Sequence, residues 1–310
     1  MAAPVVLLVG PTASGKSAAA MTLAHRFNAE IVSIDSALVY RDMNIGTAKP
    51  NAEEQAQVPH HLIDLIDPTE TYSVARFVAD CQAAISDIHS RGRMPLVVGG
   101  TMMYANMLVN GMSEVPPADA AIRAELSARR EREGIESLHA ALAKIDPTTA
   151  HRLPPTDTQR IERALEVWMI SGVPLSALQG QRKPALAGLQ SVVLRWLPAE
   201  RTWLHTRCEA RLDSMFAQDF VAEVESLRKK YSLNADMPSM RCVGYRQVLD
   251  VLEGRAPKKE MFDRALFATR QLAKRQITWL RSFDGDVVEC DSVDAVERAS
   301  LRIKQAQLAA

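Results

Sequence analysis

The chain has 310 residues, of which 47% are hydrophobic and 24% charged, a profile that suits an ordinary soluble protein of one large domain or two modest ones. Its 37 Lys and Arg balance its 37 Asp and Glu, which excludes a globally basic surface and leaves only a local one to meet an acidic partner. The four cysteines, Cys81, Cys208, Cys242 and Cys290, are far apart and form no C-x-x-C pair, against a structural zinc site or a disulfide framework.

Pro4 to Val9 is a short, continuous, valine-rich run that predicts a strand buried on both faces of a parallel sheet. The run lacks a basic leader and is too short to span a bilayer, so neither a signal peptide nor a membrane anchor is expected. A helix is expected from Gly15 to about Phe27. Glu30 to Ile34 and Pro95 to Val98 read as strands ending at Asp35-Ser36 and at Gly99-Gly100-Thr101, with helical spacing from Val74 to His89 between them. This alternation predicts an α/β fold with a doubly wound parallel sheet, whose ligands collect where residues 10 to 17, 35 to 41 and 99 to 101 converge.

The texture changes at Ser113. Pro116 and Pro117 break the chain, and residues 119 to 172 are almost wholly helical in pattern. An inserted helical domain is expected over 116–185, between a first part of the core (1–115) and a second (186–310). The sheet should resume at Ser191 to Leu197 and gain a last strand at Asp286 to Glu289.

GPTASGKS, from Gly10 through Pro11, Thr12, Ala13, Ser14, Gly15 and Lys16 to Ser17, matches G-x-x-x-x-G-K-[ST] between a predicted strand and a predicted helix. Glycines let the backbone fold around an anion, amides at the helix start point at phosphate oxygens, Lys16 adds a charge, and Ser17 offers a hydroxyl to Mg2+. A chance glycine turn would not stand in that context. Two linked phosphates on any carrier would satisfy this cradle, so the loop alone does not name a nucleotide.

Asp35 follows the second strand, where a carboxylate could accept a proton from an attacking nucleophile; a turn-forming or capping role suits Asp35-Ser36 equally well. The third strand ends in Gly99, Gly100 and Thr101 without the acid that assists magnesium in many P-loop nucleotidases, which counts against a standard ATPase or GTPase. Thr101 could donate to phosphate, although local sequence leans toward a helix cap.

Together with DSALVYRDMNIGTAKP (35–50), DPTETYS (67–73), PLVVGGTMMY (95–104), QRIERALEV (159–167), RCVGYRQ (241–247) and ATRQLAKRQITWLR (268–281), the phosphate loop resembles the bacterial tRNA dimethylallyltransferases, also called tRNA isopentenyltransferases. These stretches cover most of the chain. The resemblance implies transfer of a dimethylallyl group from dimethylallyl diphosphate to the exocyclic amine of the adenosine just 3′ of the anticodon in tRNA, with diphosphate as leaving group. It further implies a cytoplasmic enzyme, expected to be monomeric, that uses Mg2+ bound at Ser17 and has no membrane partner.

Residue by residue, the resemblance implies that Thr12 to Ser17 bind the donor, that Asp35 engages the adenine amine, and that Thr101 and Arg211 assist diphosphate departure. The tRNA contacts it implies are Asp35, Ser36, Ala37 and Leu38 with Thr101; Arg123; Gln159, Arg160, Ile161, Glu162 and Arg163; Arg241, Cys242, Val243, Gly244, Tyr245 and Arg246; and Lys274, Arg275, Gln276, Ile277, Thr278, Trp279, Leu280 and Arg281. Asp42 and Asn44 depart from the glycine and aspartate of the family pattern DSxxxYRGMDIGTAKP. A C-terminal zinc finger like that of eukaryotic relatives is not expected.

From Arg241 to Ser282 there are ten Lys or Arg against four acids, a local net of +6 in a balanced chain. On a helix, Leu266, Ala273, Ile277 and Leu280 share one face while Arg270, Lys274, Thr278 and Arg281 share another, which is either a solvated amphipathic helix or a phosphate-binding stripe. His60-His61 lacks partners at metal-ligand spacing, and Trp168, Trp196, Trp203 and Trp279 read as packing residues. A P-loop small-molecule kinase with Asp35 as base is the competing reading; it leaves the basic segment unexplained. A non-catalytic nucleotide-binding module would need neither Asp35 nor Thr101.

Overall fold

The computed structural model describes residues 2–180 and 182–309. The chain divides into two compact units, one of residues Met1–Val109 with Leu186–Ala310 and one of Asn110–Ala185. Among the described residues, no helix is long and apolar enough to cross a membrane.

The first unit begins with β1 (Val5–Val9), α1 (Lys16–Phe27), β2 (Ala29–Ser33), α2 (Ala52–Gln57), β3 (His60–His61), α3 (Val74–Ser90), β4 (Met94–Gly99) and α4 (Met102–Asn110). The second unit holds β5 (Met112–Ser113), α5 (Ala120–Glu133), α6 (Ile135–Ile145), α7 (Pro147–Arg152), α8 (Thr158–Ser171), α9 (Leu175–Leu178) and β6 (Arg182–Lys183). The chain then returns to the first unit with β7 (Ser191–Leu197), α10 (Arg201–Ala217), α11 (Phe220–Tyr231), α12 (Tyr245–Leu252), α13 (Met261–Arg281), β8 (Asp286–Glu289) and α14 (Ala295–Leu308).

The first unit is built on a six-stranded sheet in the order β3-β2-β4-β1-β7-β8, parallel at every pairing. That is the α/β architecture expected from the sequence. Every residue of β1, β2 and β4 is buried, which explains why their sequences read as apolar runs rather than alternations. Small residues on α1, including Ala19, Ala20 and Ala24, let that helix lie close to Val6, Leu8, Leu96 and Leu194 of the sheet. The register places Val9 opposite Gly99 on one side and Arg195 on the other, with Ser33 opposite Val98. The carboxyl ends of β1, β2 and β4 are therefore level, and the loops that follow them open on one edge.

The two-residue strands β3, β5 and β6 were not foreseen, since so short a stretch carries no periodicity. At the sheet edge, β3 is fastened by Glu30, a buried carboxylate that accepts from Arg91 and bonds His61 Nε2 at 2.6 Å. Those hydrogen bonds hold its pKa below the usual carboxylate range, against the opposing effect of burial.

In the second unit Leu126, Leu138, Leu142, Ile161 and Leu165 form the core. Helices α5, α7 and α8 start at side-chain caps: Asp119 accepts from the amides of Ala121 and Ile122, Asp146 from Thr149, and Asp157 from Arg160.

Candidate active site

The phosphate loop runs from the buried end of β1 into α1 as a strained turn, with Ala13 at φ +61° and Gly15 at φ +81°. The left-handed conformation at Gly15 is one that a glycine adopts without steric cost. Three side chains from the second half of the first unit hold the loop. Trp196 Nε1 of β7 donates to Ser14 O at 3.0 Å, Arg207 Nε of α10 donates to Ala13 O at 2.8 Å, and Gln276 Oε1 of α13 accepts from the Thr12 amide at 2.8 Å. Ser14 Oγ closes the turn on Pro11 O at 2.8 Å.

Above this edge lies a cavity of about 700 Å³ belonging to the first unit. Thr12, Lys16 and Ser17 line it from the phosphate loop, Asp35 to Leu38 from the loop after β2, and Gly99 to Tyr104 from the end of β4 and α4. Arg211 contributes from α10, Arg241 to Tyr245 from the segment that leads into α12, and Arg275, Gln276 and Trp279 from α13. Sequence stretches far apart in the chain thus meet at one wall because the sheet order brings their strand ends together.

Two cations are recessed here. Lys16 Nζ donates to Pro11 O at 3.1 Å, and Arg211 Nη2 donates to Thr47 O at 3.1 Å. Burial pulls the Lys16 pKa down to about 8, aided by the charge of Arg211 and opposed by Asp35. Burial lowers the Arg211 pKa as well, again opposed by Asp35. Among the described residues neither cation has a salt-bridge partner, so the cavity presents positive charge suited to an anion that replaces lost water.

Asp35 Oδ1 accepts from the Ala37 amide at 2.9 Å, so it makes the turn that one reading of the sequence expected while its side chain still lines the cavity. Thr101 Oγ1 accepts from the Ser36 amide at 3.0 Å and donates to Ser36 Oγ at 3.2 Å. Its hydroxyl therefore ties two active-edge loops together, where local sequence leaned toward a helix cap. Burial pushes the Tyr104 hydroxyl and the Cys242 thiol up to about 12, with the charge of Asp35 adding to both, so neither competes with a carboxylate as a base near neutral pH.

The residues fit a magnesium ion in a particular way. Ser17 is exposed in the first turn of α1 and lines the cavity, while among the described residues no cluster of three His, Cys, Asp or Glu side chains could hold a metal. Such a site suits an ion that keeps waters and takes most of its other oxygens from a bound diphosphate.

Not every side chain on the implied tRNA surface reaches it. Gln276, Tyr245, Leu280 and Ile161, all within the stretches implied to contact tRNA, are buried, and Gln276 and Tyr245 meet the cavity. Tyr245 donates its hydroxyl to Glu223, and Gln276 spends its amide on main-chain groups of the two loops. These are framework positions, placed inside by the same helical periodicity that puts their neighbours outside. In the second unit, Arg123 and Arg163 both grip the buried carboxylate of Glu166, Arg160 pairs with Asp157, and Glu162 with Arg130.

Arg241, Arg246, Lys274, Arg275 and Arg281 are exposed, and among the described residues none of them is in an ion pair. Elsewhere in the segment Arg255 and Arg264 pair with Asp250, and Arg270 with Glu209. Of the tryptophans, Trp196 is buried, whereas Trp279 is 46% exposed and lines the cavity, and Trp168 is 39% exposed.

Glu223 of α11 was missed from sequence. Its carboxylate accepts from the amides of Asn44, Ile45 and Gly46 at 3.0, 2.7 and 3.2 Å and so folds the loop after Asp35. Asp42, one of the two departures from the family pattern, sits at φ +62° and accepts from Lys230 and Tyr231. A lone glutamate on an amphipathic helix carries no signal of such a partner 177 residues or more away.

Family models described as "IPP transferase" and "Isopentenyl transferase" match residues 38–283 and 3–64. The chain is 53% identical to a tRNA dimethylallyltransferase of Burkholderia multivorans, over 95% of this chain and 92% of the relative. It is 54% identical to one of Chromobacterium violaceum, over 92% and 88%. Among solved structures, the full-length tRNA isopentenylpyrophosphate transferase of Bacillus halodurans superposes with a TM-score of 0.69 at 34% identity, covering 99% of this chain and 98% of that one. A eukaryotic dimethylallyltransferase acting on tRNA superposes at 0.84 with 26% identity, covering 99% and 80%.

Proposed function

Because the chain belongs to the tRNA dimethylallyltransferase family, we propose that its cavity transfers a dimethylallyl group from dimethylallyl diphosphate to the exocyclic amine of the adenosine 3′-adjacent to the anticodon of tRNA. The observation that carries this reading is the opposition, within one cavity, of an anion cradle with the unpaired cations Lys16 and Arg211 to the carboxylate of Asp35. The cradle takes the leaving group, and the carboxylate faces the nucleophile.

In the reaction, the adenine nitrogen forms a bond to C1 of the dimethylallyl group as the bond from C1 to the diphosphate oxygen breaks, and that electron pair leaves with diphosphate. The amine is a weak nucleophile whose proton becomes acidic only as the new bond forms; Asp35 orients the amine and accepts that proton. Loop amides from Ala13 to Ser17, Lys16 and Arg211 hold the diphosphate and meet the charge that develops on it, while the Thr12 amide is kept by Gln276. Thr101, whose hydroxyl lies between the loops, would supply a further donor at the same edge by turning its one O–H from Ser36 Oγ to the diphosphate. Magnesium held by Ser17 together with diphosphate oxygens would add neutralising charge to the leaving group.

On the tRNA side, Arg241, Arg246, Lys274, Arg275 and Arg281 serve as phosphate contacts, and Ser36 to Leu38 and Trp279 line the path of the target base. An anticodon-loop base is partly unpaired, so extruding it into a pocket costs only a few kcal/mol.

Incubating the protein with labelled dimethylallyl diphosphate and unmodified tRNA tests the assignment. Label in tRNA with an equivalent of diphosphate is the expected result. ADP and a phosphorylated small molecule formed from ATP instead would establish the kinase reading, and turnover of neither would leave a binding module.

A further inference from the structure

Gln276 lies on the α13 stretch that resembles tRNA-contacting sequence, yet only 8% of it is exposed. Its side chain spans two loops: Oε1 accepts from the Thr12 amide of the phosphate loop at 2.8 Å, and Nε2 donates to Gly100 O after β4 at 2.8 Å. The partners fix the orientation of the amide, since a main-chain N–H demands an acceptor and a main-chain carbonyl a donor. Gly100 leaves room for this bridge, because a Cβ there would stand 2.5 Å from Gln276 Nε2. The next residue, Thr101, binds the Ser36 amide, and Ser36 adjoins Asp35. One buried amide thereby links the donor side of the cavity to the acceptor side.

We infer that Gln276 is a positioning residue for prenyl transfer, which sets the separation of the phosphate loop from the loop bearing Thr101 and, through Ser36, from Asp35. The inference rests on the reading of this cavity as the transfer site. The Gln276 amide is bonded to Thr12 and Gly100, and it acts through them. Reacting atoms must approach within a fraction of an ångström of the productive geometry, and a misplacement of about 1 Å can cost on the order of 10²-fold in rate.

The bridge requires one acceptor and one donor on the same side chain. A protonated glutamic acid supplies both, whereas an ionised glutamate keeps the acceptor, loses the donor and sets its charge against Gly100 O. Burial raises the pKa of such a carboxyl, so its titration is expected to fall above the ordinary glutamate range.

The experiment compares Gln276→Glu with the unaltered protein in single-turnover transfer at saturating donor and tRNA from pH 6 to pH 8, with the folded fraction checked by melting at each pH. The expected ratio of variant to unaltered rate is about 10⁻¹ to 10⁻² at pH 8 and climbs toward unity as pH falls, while tRNA affinity stays within about twofold. Gln276→Ala, with neither donor nor acceptor, is expected to be slow at every pH. A ratio that does not change with pH, or a Gln276→Glu rate equal to that of the unaltered protein at pH 8, overturns the inference. Failure of the unaltered protein to prenylate tRNA would instead overturn the functional reading on which it rests.

Discussion

Two sets of cations in the first unit differ in their relation to water. Lys16 and Arg211 are recessed in the cavity, where burial lowers the pKa of both. Lys274, Arg275 and Arg281 stand exposed along α13. A recessed charge is pre-oriented and weakly screened, so it can discriminate a compact anion and stabilise charge that appears during a reaction. An exposed charge on a helix is strongly hydrated and screened, and it favours a polyanion chiefly by releasing counterions. Under the proposed function the labour divides: the cavity would select and activate the donor, and the helix surface would gather the tRNA.

The sharpest way to break that division is at the acid opposite the recessed cations. Asp35→Asn preserves size and the acceptor that serves the Ala37 amide, so loop shape should survive while the proton acceptor is lost. Single-turnover transfer with both substrates saturating is expected to fall by about 10² to 10⁴-fold, with donor affinity and melting temperature little changed. A near-normal rate would leave Asp35 as a loop-shaping residue only.

Lys16→Ala comes next in size. Removing the recessed charge should weaken dimethylallyl diphosphate binding by ~1.5–3 kcal/mol, roughly 10- to 150-fold, measured by calorimetry or competition. An unchanged donor Kd would contradict the cradle assignment.

The lowered Lys16 pKa of about 8 gives a smaller, pH-dependent effect. Lys16 is charged below that pH and loses its proton above it, while a bound diphosphate favours the charged form and pulls the proton back. Donor affinity should therefore be level below about pH 7 and decline above pH 8, by at most about tenfold per unit, with proton uptake on binding in the alkaline range. Lys16→Ala should abolish the decline; a profile that persists in the variant would place the titration elsewhere.

Much of the fold was legible because it rests on local signals. Ser191–Leu197 and Asp286–Glu289 form strands at the expected residues, and β1, β2 and β4 match apolar runs to within a residue or two. The phosphate loop was legible because its chemistry needs glycines and a lysine at fixed spacing. What holds the loop was not, since Trp196, Arg207 and Gln276 reach it from 182, 194 and 264 residues away and ordinary helical or strand patterns conceal their partners. The burial of Gln276 and Tyr245 among exposed basic neighbours is hidden in the same way. A linear motif lists residues that travel together, whereas helical periodicity sends some of them inward.

The exposed set yields the smallest single-residue effect. Lys274→Ala is expected to reduce the log-log slope of tRNA affinity against salt by up to about 1, one phosphate contact's worth, with little change in the chemical step.

The division between recessed and exposed cations is tested most directly by measuring the affinities for dimethylallyl diphosphate and for unmodified tRNA across the same salt series, from about 50 to 200 mM. The account predicts a steep fall for tRNA and a slope for the donor well below it. Equal slopes, or a tRNA affinity indifferent to salt, would contradict it.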